Sequence, residues 1–398
     1  SIAPVGGVCV SKNVYDELVN KEGIDGVPLG LQSLKGVGRL IEVFGLKGDK
    51  LNEPNPKDYQ ENKIQVHSDD EVPSVAIIPF DNKGKEEDVF YAYGISVDLI
   101  SDVSSAGLIR VASKKQIEDA GDLPIDELAK KLDVRYMANG ELWRMGDMFQ
   151  LSIELYDTKD KKVVWSDRWQ EDWDNLPTIK GSLSDGLLKA LDTKPRVEKK
   201  ADTKYSEAYE YYLRAKYKYR KFQNLEDMEI ARSLLEKAIQ IDDDMISAKR
   251  LLGTTYQQVG KYSKAMEIFN NALTQSELVD NKEENGNLHL NIGSLYGDKG
   301  NLNNAQTHYN HSLKIFEILG NRSGIAYSLG NLGWSFEKQG NYEIALNHYR
   351  RSYTICEERD DKWAMGVSFS NMGSIFIKKG EFDRALEYSL QSYKTREK

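Results

Sequence analysis

Cysteine is almost absent from this chain of 398 residues, which contains only Cys9 and Cys356. Two thiols are too few for a disulfide framework, so the sequence predicts a reducing, cytoplasmic location. No apolar run approaches the ~20 residues that a membrane helix needs, and we expect no membrane partner. A formal net charge of −9 argues against a general nucleic-acid binder, because such proteins carry a basic footprint.

Residue patterns that carry chemistry are also scarce. His308 and His311 lie one helical turn apart, but no Cys, Asp or Glu accompanies them at a metal-site spacing. We therefore favour a surface position for this pair over a metal site. The sequence has neither a glycine-rich phosphate loop nor a Ser/His/Asp set, so we expect no catalytic residue, metal or cofactor within this chain.

Two aromatic-rich stretches have a functional and a structural interpretation. Basic and aromatic residues alternate over 216–222, a pattern that binds single-stranded nucleic acid in basic proteins. In this acidic chain we favour one ordinary helix. Trp165, Trp169 and Trp173 are interpreted as packing a sheet edge against its neighbour, with a ligand platform as the alternative.

What the sequence does contain is a repeat of 40 residues. Glycines recur at positions 253, 293, 333 and 373, and each is followed three residues later by an aromatic residue. Further glycines at 260, 300, 340 and 380 would end a first helix, and alanines at 265, 305, 345 and 385 lie on a second. Each unit is thus predicted to be a helical hairpin that buries its apolar face only by stacking on its neighbours.

This pattern resembles the tetratricopeptide repeat. The first unit carries it on Gly253, Tyr256, Gly260, Tyr262 and Ala265, and the later units repeat these types. The step exceeds the commonest period of about 34 residues, so we expect longer helices. Ser389 stands where the other second helices have an aromatic residue, which predicts that the last repeat is less well packed. A degenerate earlier unit is expected from small and aromatic residues at Ala208, Tyr209, Tyr212, Ala215, Ala231, Leu235 and Ala238.

Residues 73–192 have the pattern of a small α/β domain. Strands are predicted at 75–80, 108–111, 136–142, 149–157 and 163–168, and helices at 90–103, 125–132 and 176–191. The segment resembles the TolB N-terminal-like domain in Val-Ala-Ile-Ile-Pro-Phe-Asp-Asn at 75–82, Tyr-Gly-Ile at 93–95, Asn-Gly-Glu-Leu at 139–142 and Val-Trp-Ser-Asp-Arg at 164–168. That resemblance implies a mixed sheet without a catalytic role.

The first 47 residues resemble the C-terminal end of a class III nucleotide cyclase domain. The similarity rests on the Gly-Gly strand at 6–11, Leu29-Gly30, Leu34-Lys35-Gly36 and the strand at 41–44, with a helix near 14–19. It implies that the metal-binding aspartates precede this segment, so Mg²⁺ or Mn²⁺ is expected only for that missing part. Lys35 is a candidate for triphosphate contact, with a solvated loop lysine as the alternative.

The predicted organisation follows from these assignments. It comprises a cyclase remnant (1–47), a linker (48–72), the TolB-like α/β domain (73–192), a second linker (193–204) and about five repeats (205–398) that form an all-α superhelix. Unpaired strand edges in the remnant tend to pair with another chain, so a homodimer is one possible assembly. We expect the chain to be a segment of a longer protein.

Asparagines at 291, 331 and 371 recur with the repeat period. Their position predicts a row on the inner wall of the superhelix, where amides could bind the backbone of a protein or peptide partner. Tyr327, Trp334, Lys338 and Lys378 are expected on the same wall, where the lysines would favour acidic ligands. The alternative is that these asparagines only bridge neighbouring repeats.

Two functions remain open from the sequence. One is the regulatory and interaction region of a nucleotide cyclase, itself inactive. The other is a free-standing adaptor or peptide-sensing receptor.

Overall fold

The computed structural model describes residues 8–11, 15, 25–33, 40–47, 73–106, 109–193, 203–359 and 361–397. The chain divides into two compact units, residues 1–71 and 72–398.

The first unit contains a three-stranded antiparallel sheet in the order β1-β3-β2. The strands are β1 (Cys9–Ser11), β2 (Asp25–Ser33) and β3 (Leu40–Lys47). Tyr15 stacks on Phe44 with ring centroids 4.3 Å apart. The predicted strand at 41–44 is confirmed within β3, whereas most of the predicted helix near 14–19, and Lys35, lie outside the described residues.

The second unit begins with a six-stranded mixed sheet, as predicted. Its order is β6-β4-β7-β8-β9, with β5 paired to β7. Strands β4, β6 and β7 run parallel, and β7, β8 and β9 are antiparallel. The strands are β4 (Ser74–Ile77), β5 (Asp81–Asn82), β6 (Arg110–Val111), β7 (Tyr136–Met145), β8 (Met148–Asp157) and β9 (Lys162–Asp172).

Burial in this sheet follows the alternation of the sequence. In β8, Leu151, Ile153 and Leu155 are fully buried, while the intervening polar residues face outward. Strand β4 ends at Ile77, earlier than the predicted 75–80. Pro79 has no N–H to continue the ladder, and the Phe80 N–H donates instead to Ser96 Oγ at 2.7 Å.

Helices α1 (Val89–Ser105), α2 (Lys114–Ala120), α3 (Ile125–Leu132) and α4 (Leu176–Ala190) accompany the sheet. The three predicted helices are confirmed as α1, α3 and α4. Helix α2 was not predicted because it is short. Its start is nonetheless encoded by a capping box between Ser113 and Gln116.

Ten further helices form five consecutive hairpins. They are α5 (Ser206–Lys221), α6 (Leu225–Ile241), α7 (Ile246–Gln258), α8 (Tyr262–Leu278), α9 (Lys282–Asp298), α10 (Leu302–Leu319), α11 (Arg322–Lys338), α12 (Tyr342–Glu358), α13 (Lys362–Lys378) and α14 (Phe382–Glu397). A helical hairpin, α5 and α6, is present where the degenerate first unit is predicted. Helices α8 to α13 each have 17 or 18 residues, which agrees with the long period.

Close approach of the two helices in a hairpin depends on glycine. A Cβ on Gly293 would lie 2.6 Å from the Tyr309 ring, and one on Gly333 would lie 2.7 Å from the Tyr349 ring. In the last hairpin Gly373 faces no such ring, and its nearest neighbour is Tyr388 Cβ at 3.4 Å. The looser packing predicted from Ser389 is thus confirmed.

The sheet and the first hairpin share one hydrophobic core, which runs from β4 to α7. A buried carboxylate, Asp98 on α1, joins the two parts. It accepts a hydrogen bond from Tyr209 Oη at 3.0 Å and one from Lys216 Nζ, and Lys180 Nζ lies 3.5 Å away. Burial alone would raise the pKa of Asp98, but Lys180 and Lys216 outweigh it and hold the pKa well below its usual range.

A second polar junction involves Arg144 on β7. Its guanidinium donates to Tyr91 Oη at 2.7 Å, lies 4.1 Å from the Trp173 ring centroid, and is 3.7 Å from Glu210 on α5. Trp173 is buried, so the packing interpretation of the tryptophan series is confirmed at this position.

Residues 194–202 of the predicted linker lie outside the described ranges, while Thr203 is buried and donates to Asp242 at the end of α6.

We expect Asp98→Asn to destabilise the sheet and the first hairpins together. The substitution leaves two mostly buried lysines without their counter-charge, which typically costs about 3–5 kcal/mol. Urea unfolding followed by circular dichroism measures the change. The control is Asp81→Asn, a carboxylate with a 70% exposed side chain that should change stability little. Equal midpoints for the two variants would contradict the role given to Asp98.

Candidate partner-binding groove

The first helices of the later hairpins lie side by side. Helix α7 contacts α9, α9 contacts α11, and α11 contacts α13. A hollow of about 430 Å³ opens across α7, α9 and α11, and we call it the groove hollow. Its lining is mostly polar and consists of Thr254, Gln257, Gln258, Tyr262, Leu290, Asn291, Ser294, Asp298 and Asn331. Two of the three predicted asparagines are thereby brought together, while Asn371 is not part of this lining.

Asn291 is engaged by the preceding repeat. Its side-chain amide donates to Thr254 Oγ1 at 2.8 Å. Beside it, Gln257 Nε2 donates to Ser294 Oγ at 3.1 Å and to Asp298 Oδ2 at 2.7 Å. These bonds connect α7 to α9, so Asn291 bridges two neighbouring repeats, as the alternative interpretation of the asparagines states.

Asn331 differs from Asn291. It lies one repeat further along, is half-buried in the same lining, and its side chain makes no hydrogen bond to any residue that the structure describes. Its amide therefore offers two donors and an acceptor to a ligand. This side chain is the strongest candidate for partner contact in the hollow.

Trp334 packs between repeats. A Cβ on Gly297 would lie 2.8 Å from the Trp334 ring, so the missing side chain at Gly297 makes room for the indole. The Lys338 ammonium lies 5.7 Å from the centre of the same ring. Trp334 is half-buried by this contact, which gives it a packing role in addition to the predicted role in partner binding.

Lys378 belongs to a charge network that the repeat pattern of the sequence does not indicate. Glu337 is only 7% exposed and accepts bonds from Tyr349 Oη at 2.7 Å, Ser374 Oγ at 3.0 Å and Lys378 Nζ at 2.6 Å. Glu337 thus joins α11 to α12 and α13 and neutralises the Lys378 charge. The expected bias toward acidic ligands stays a prediction for the wall that carries Lys338 and Lys378, while the groove hollow is lined by Asp298 and by no lysine or arginine.

Tyr327 is exposed over 62% of its surface, as a contact residue should be. It lies on α11, the helix that also touches α1 of the sheet.

The histidines are arranged differently from the predicted surface pair. His289 on α9 is buried, and its Nδ1 lies 2.9 Å from Nδ1 of His308 on α10. His308 is half-buried and stacks on Tyr296, while His311 is exposed. The surface prediction was wrong for His308, because its partner lies 19 residues away on the preceding helix. Within the described ranges, no group of three His, Cys, Asp or Glu side chains is arranged to hold a metal ion.

Comparison with known proteins supports the helical part most strongly. The tetratricopeptide-repeat family model matches residues 244–317 and 284–358. Helices α7 to α12 lie within these ranges, and the five hairpins together form an all-α array like that of tetratricopeptide repeats, which are typical of protein–protein interaction. The cyclase remnant and the TolB-like assignment remain predictions.

A curated relative from Rhizobium meliloti bears the name "Putative adenylate cyclase 3". It is 26% identical over 257 residues, which is 62% of this chain and 43% of the relative. The chain thus spans less than half the length of that relative.

Two similar solved structures each share less than 20% sequence identity with this chain. A Rap protein complexed with competence and sporulation factor is 19% identical, with a TM-score of 0.42, over 48% of this chain and 55% of that one. A signal-transduction ATPase with a tetratricopeptide-repeat sensor from Pyrococcus horikoshii is 17% identical, with a TM-score of 0.44, over 47% of this chain and 29% of that one. Among the helices that the structure describes, none is both long and apolar enough to cross a membrane.

We expect acid to destabilise the array through His289. Burial, followed by the nearby His308 and His311, lowers the pKa of His289 to about 4, and burial also lowers the pKa of His308. The unfolded chain binds these protons at its ordinary pKa of about 6.5. The contribution of His289 to the free energy of unfolding should therefore be fully present above about pH 6.5. It should be lost as the pH drops toward 4, with a loss on the order of 2 kcal/mol at pH 5.

The measurement is urea unfolding at several pH values for the wild type and His289→Gln. The variant retains a polar side chain that does not titrate, so its stability should depend less steeply on pH between 7 and 5. Identical slopes for the two proteins would contradict the assignment to His289.

Proposed function

We propose that this chain is the regulatory and interaction region of a class III nucleotide cyclase, and that its groove hollow binds an extended segment of a protein partner. The observation that carries the binding proposal is Asn331, an unpaired amide in a polar hollow that crosses three successive first helices. A free-standing adaptor is the second candidate.

The chemistry of the hollow fits a peptide backbone. Asn331 can both donate to a backbone carbonyl and accept from an N–H, and the side-chain oxygen of Asn291 can accept a further N–H. Such contacts recognise the main chain rather than particular side chains. Gln257 and Ser294 already bond to neighbours, so they hold the wall in place instead of rearranging when a ligand arrives.

The charge of the hollow favours neutral or basic segments. Asp298 is the charged residue of the lining, and it is exposed at the end of α9. Its bond from Gln257 leaves its negative charge in place, since Gln257 is neutral. A lysine or arginine in the ligand would meet a favourable potential here, whereas an acidic segment would be repelled.

Two observations support the cyclase link. One is the name of the Rhizobium meliloti relative, and the other is the resemblance of residues 1–47 to the end of a cyclase domain. The function of a free-standing adaptor does not require a segment of a cyclase domain. The two candidates differ in the gene upstream of Ser1, where the cyclase link requires a domain with paired aspartates followed by an Asn and an Arg.

Asn331→Ala should weaken peptide binding roughly tenfold, the typical worth of one hydrogen bond of about 1.4 kcal/mol. The probes are two synthetic peptide pools of matched length, one rich in lysine and arginine and the other rich in aspartate and glutamate. The basic pool should bind the wild type more tightly, and Asp298→Asn should reduce that preference. Fluorescence anisotropy measures both effects.

Thermal melts separate binding from folding. Asn331→Ala should have the same melting temperature as the wild type. Asn291→Ala should lower the free energy of unfolding by about 1 kcal/mol, because the bond of Asn291 to Thr254 connects two repeats. The control is Asn270→Ala on α8, an exposed asparagine away from the hollow. The groove proposal fails if Asn331→Ala binds both pools as the wild type does, or if Asn270→Ala weakens binding equally.

The chain by itself should have no cyclase activity. Two-metal catalysis requires carboxylates that hold both ions, and the cyclase resemblance places those residues before Ser1. Purified chain is incubated with ATP or GTP and with Mg²⁺ or Mn²⁺, and cyclic nucleotide is quantified by chromatography. Product above a buffer control would show that the catalytic residues lie within this chain.

A further inference from the structure

One arginine of the array is buried without a counter-charge. Arg359 follows the end of α12 and is only 8% exposed. Its Nε is buried and makes no hydrogen bond, and its guanidinium forms no ion pair with any residue that the structure describes. A buried charge is unfavourable unless an opposite charge or a set of hydrogen bonds offsets its loss of hydration. Within the described part of the chain, this guanidinium has neither.

The fold does not require a charge at this position. One and two repeats earlier, the same position holds Leu319 and Val279, which are apolar. Each of them stands at the end of a second helix, as Arg359 does. The repeat thus packs with an uncharged side chain here, and packing alone does not account for the arginine. A bound anion would account for it.

A tyrosine and a second arginine lie near this guanidinium. Burial, followed by the charge of Asp361, raises the pKa of Tyr327, and Arg359 and Arg220 both act in the opposite direction. The two cations therefore lie near the same hydroxyl. Tyr327 is 62% exposed, and its hydroxyl makes no hydrogen bond to a described residue. An exposed side chain whose pKa is nevertheless raised by burial lies in a concave part of the surface.

The second arginine comes from the other end of the array. Arg220 is exposed near the end of α5 in the first hairpin, whereas Tyr327 lies on α11 in the fourth. Helix α1 of the sheet contacts both α5 and α11, which brings the two hairpins together. Arg220, like Arg359, forms no ion pair with another described residue. Two guanidiniums near one hydroxyl repel each other unless an anion lies between them.

The carboxylates nearest to Arg359 are already engaged. Asp361 accepts a hydrogen bond from the Ala364 N–H at 3.0 Å and so caps α13. Glu358 forms an ion pair with Arg322. Neither carboxylate pairs with Arg359 in the part of the chain that the structure describes. Two arginines beside one aspartate leave the surroundings of the Tyr327 hydroxyl positive, so a ligand that neutralises them must bring negative charge.

We propose that Arg359, Arg220 and Tyr327 form a binding site for a phosphate group. Guanidinium groups donate through planar forks that match phosphate oxygens, and the phenol adds a further donor. A phosphate presents oxygens in several directions, so it can accept hydrogen bonds from donors on different hairpins at once. Free phosphate and a nucleotide share this chemistry. None of the three side chains belongs to the lining of the groove hollow, so the proposal is independent of peptide binding there.

The experiment is isothermal titration calorimetry of the full chain at constant ionic strength with inorganic phosphate, with ATP and with acetate. The wild type should bind phosphate more tightly than acetate. Arg359→Gln should weaken phosphate binding by about tenfold, because a charge-assisted pair is lost. Arg220→Gln and Tyr327→Phe should weaken it less. Tighter binding of ATP than of phosphate identifies a nucleotide as the ligand, and the reverse order identifies free phosphate.

The matched control is Arg350→Gln, which removes an exposed arginine from the same helix as the end that carries Arg359. It should leave phosphate binding unchanged. Thermal melts supply a second readout. Without phosphate, Arg359→Gln should melt at or above the wild-type temperature, because it removes a buried charge that lacks a partner. Phosphate should raise the melting temperature of the wild type and not that of Arg359→Gln.

Four outcomes overturn the proposal. The first is a wild type that binds neither phosphate nor ATP, and the second is acetate binding as tight as phosphate binding. The third is an equal loss of binding in Arg350→Gln, which would reduce the effect to general surface charge. The fourth is an Arg359→Gln variant that melts well below the wild type without phosphate, since Arg359 would then have a structural partner within the chain.

Discussion

The close contact between a glycine on one helix and an aromatic ring on the next is the constraint on which the array depends. Gly293 against Tyr309 and Gly333 against Tyr349 hold each hairpin at a separation that any Cβ would prevent. Because this contact repeats with the period of the sequence, successive first helices come into register. The groove hollow exists only because α7, α9 and α11 are aligned in this way.

The array is not a separate body tethered to the sheet. Asp98 is buried on α1 and is bound by side chains from α4 and α5, and a common apolar core continues from β4 into α7. Asp98 retains its charge because Lys180 and Lys216 offset the cost of its burial. The sheet and the start of the array therefore pack as one unit.

Periodic features could be predicted from the sequence, and individual pairings could not. The five hairpins, the glycine positions and the mixed sheet follow from patterns that each local segment carries. Glu337 was missed because its partners Tyr349 and Lys378 lie on two other helices, and its equivalents in neighbouring repeats are not acidic. His289 was missed for the same reason, since only the fold brings it to His308. Spacing placed Asn291 and Asn331 on the same wall, but it could not show that Thr254 already holds the first of them.

The most direct test of the account is to ask where a bound peptide lies. A photo-reactive amino acid is placed at Ser294 inside the groove hollow, and separately at Leu278, which is exposed on the second helix of a hairpin. Each protein is irradiated with the lysine- and arginine-rich peptide pool, and cross-linked products are quantified by mass spectrometry. The account predicts cross-links from position 294 that unlabelled peptide competes away, and few from position 278. Equal yields from the two positions, or cross-links from 278 alone, would contradict it.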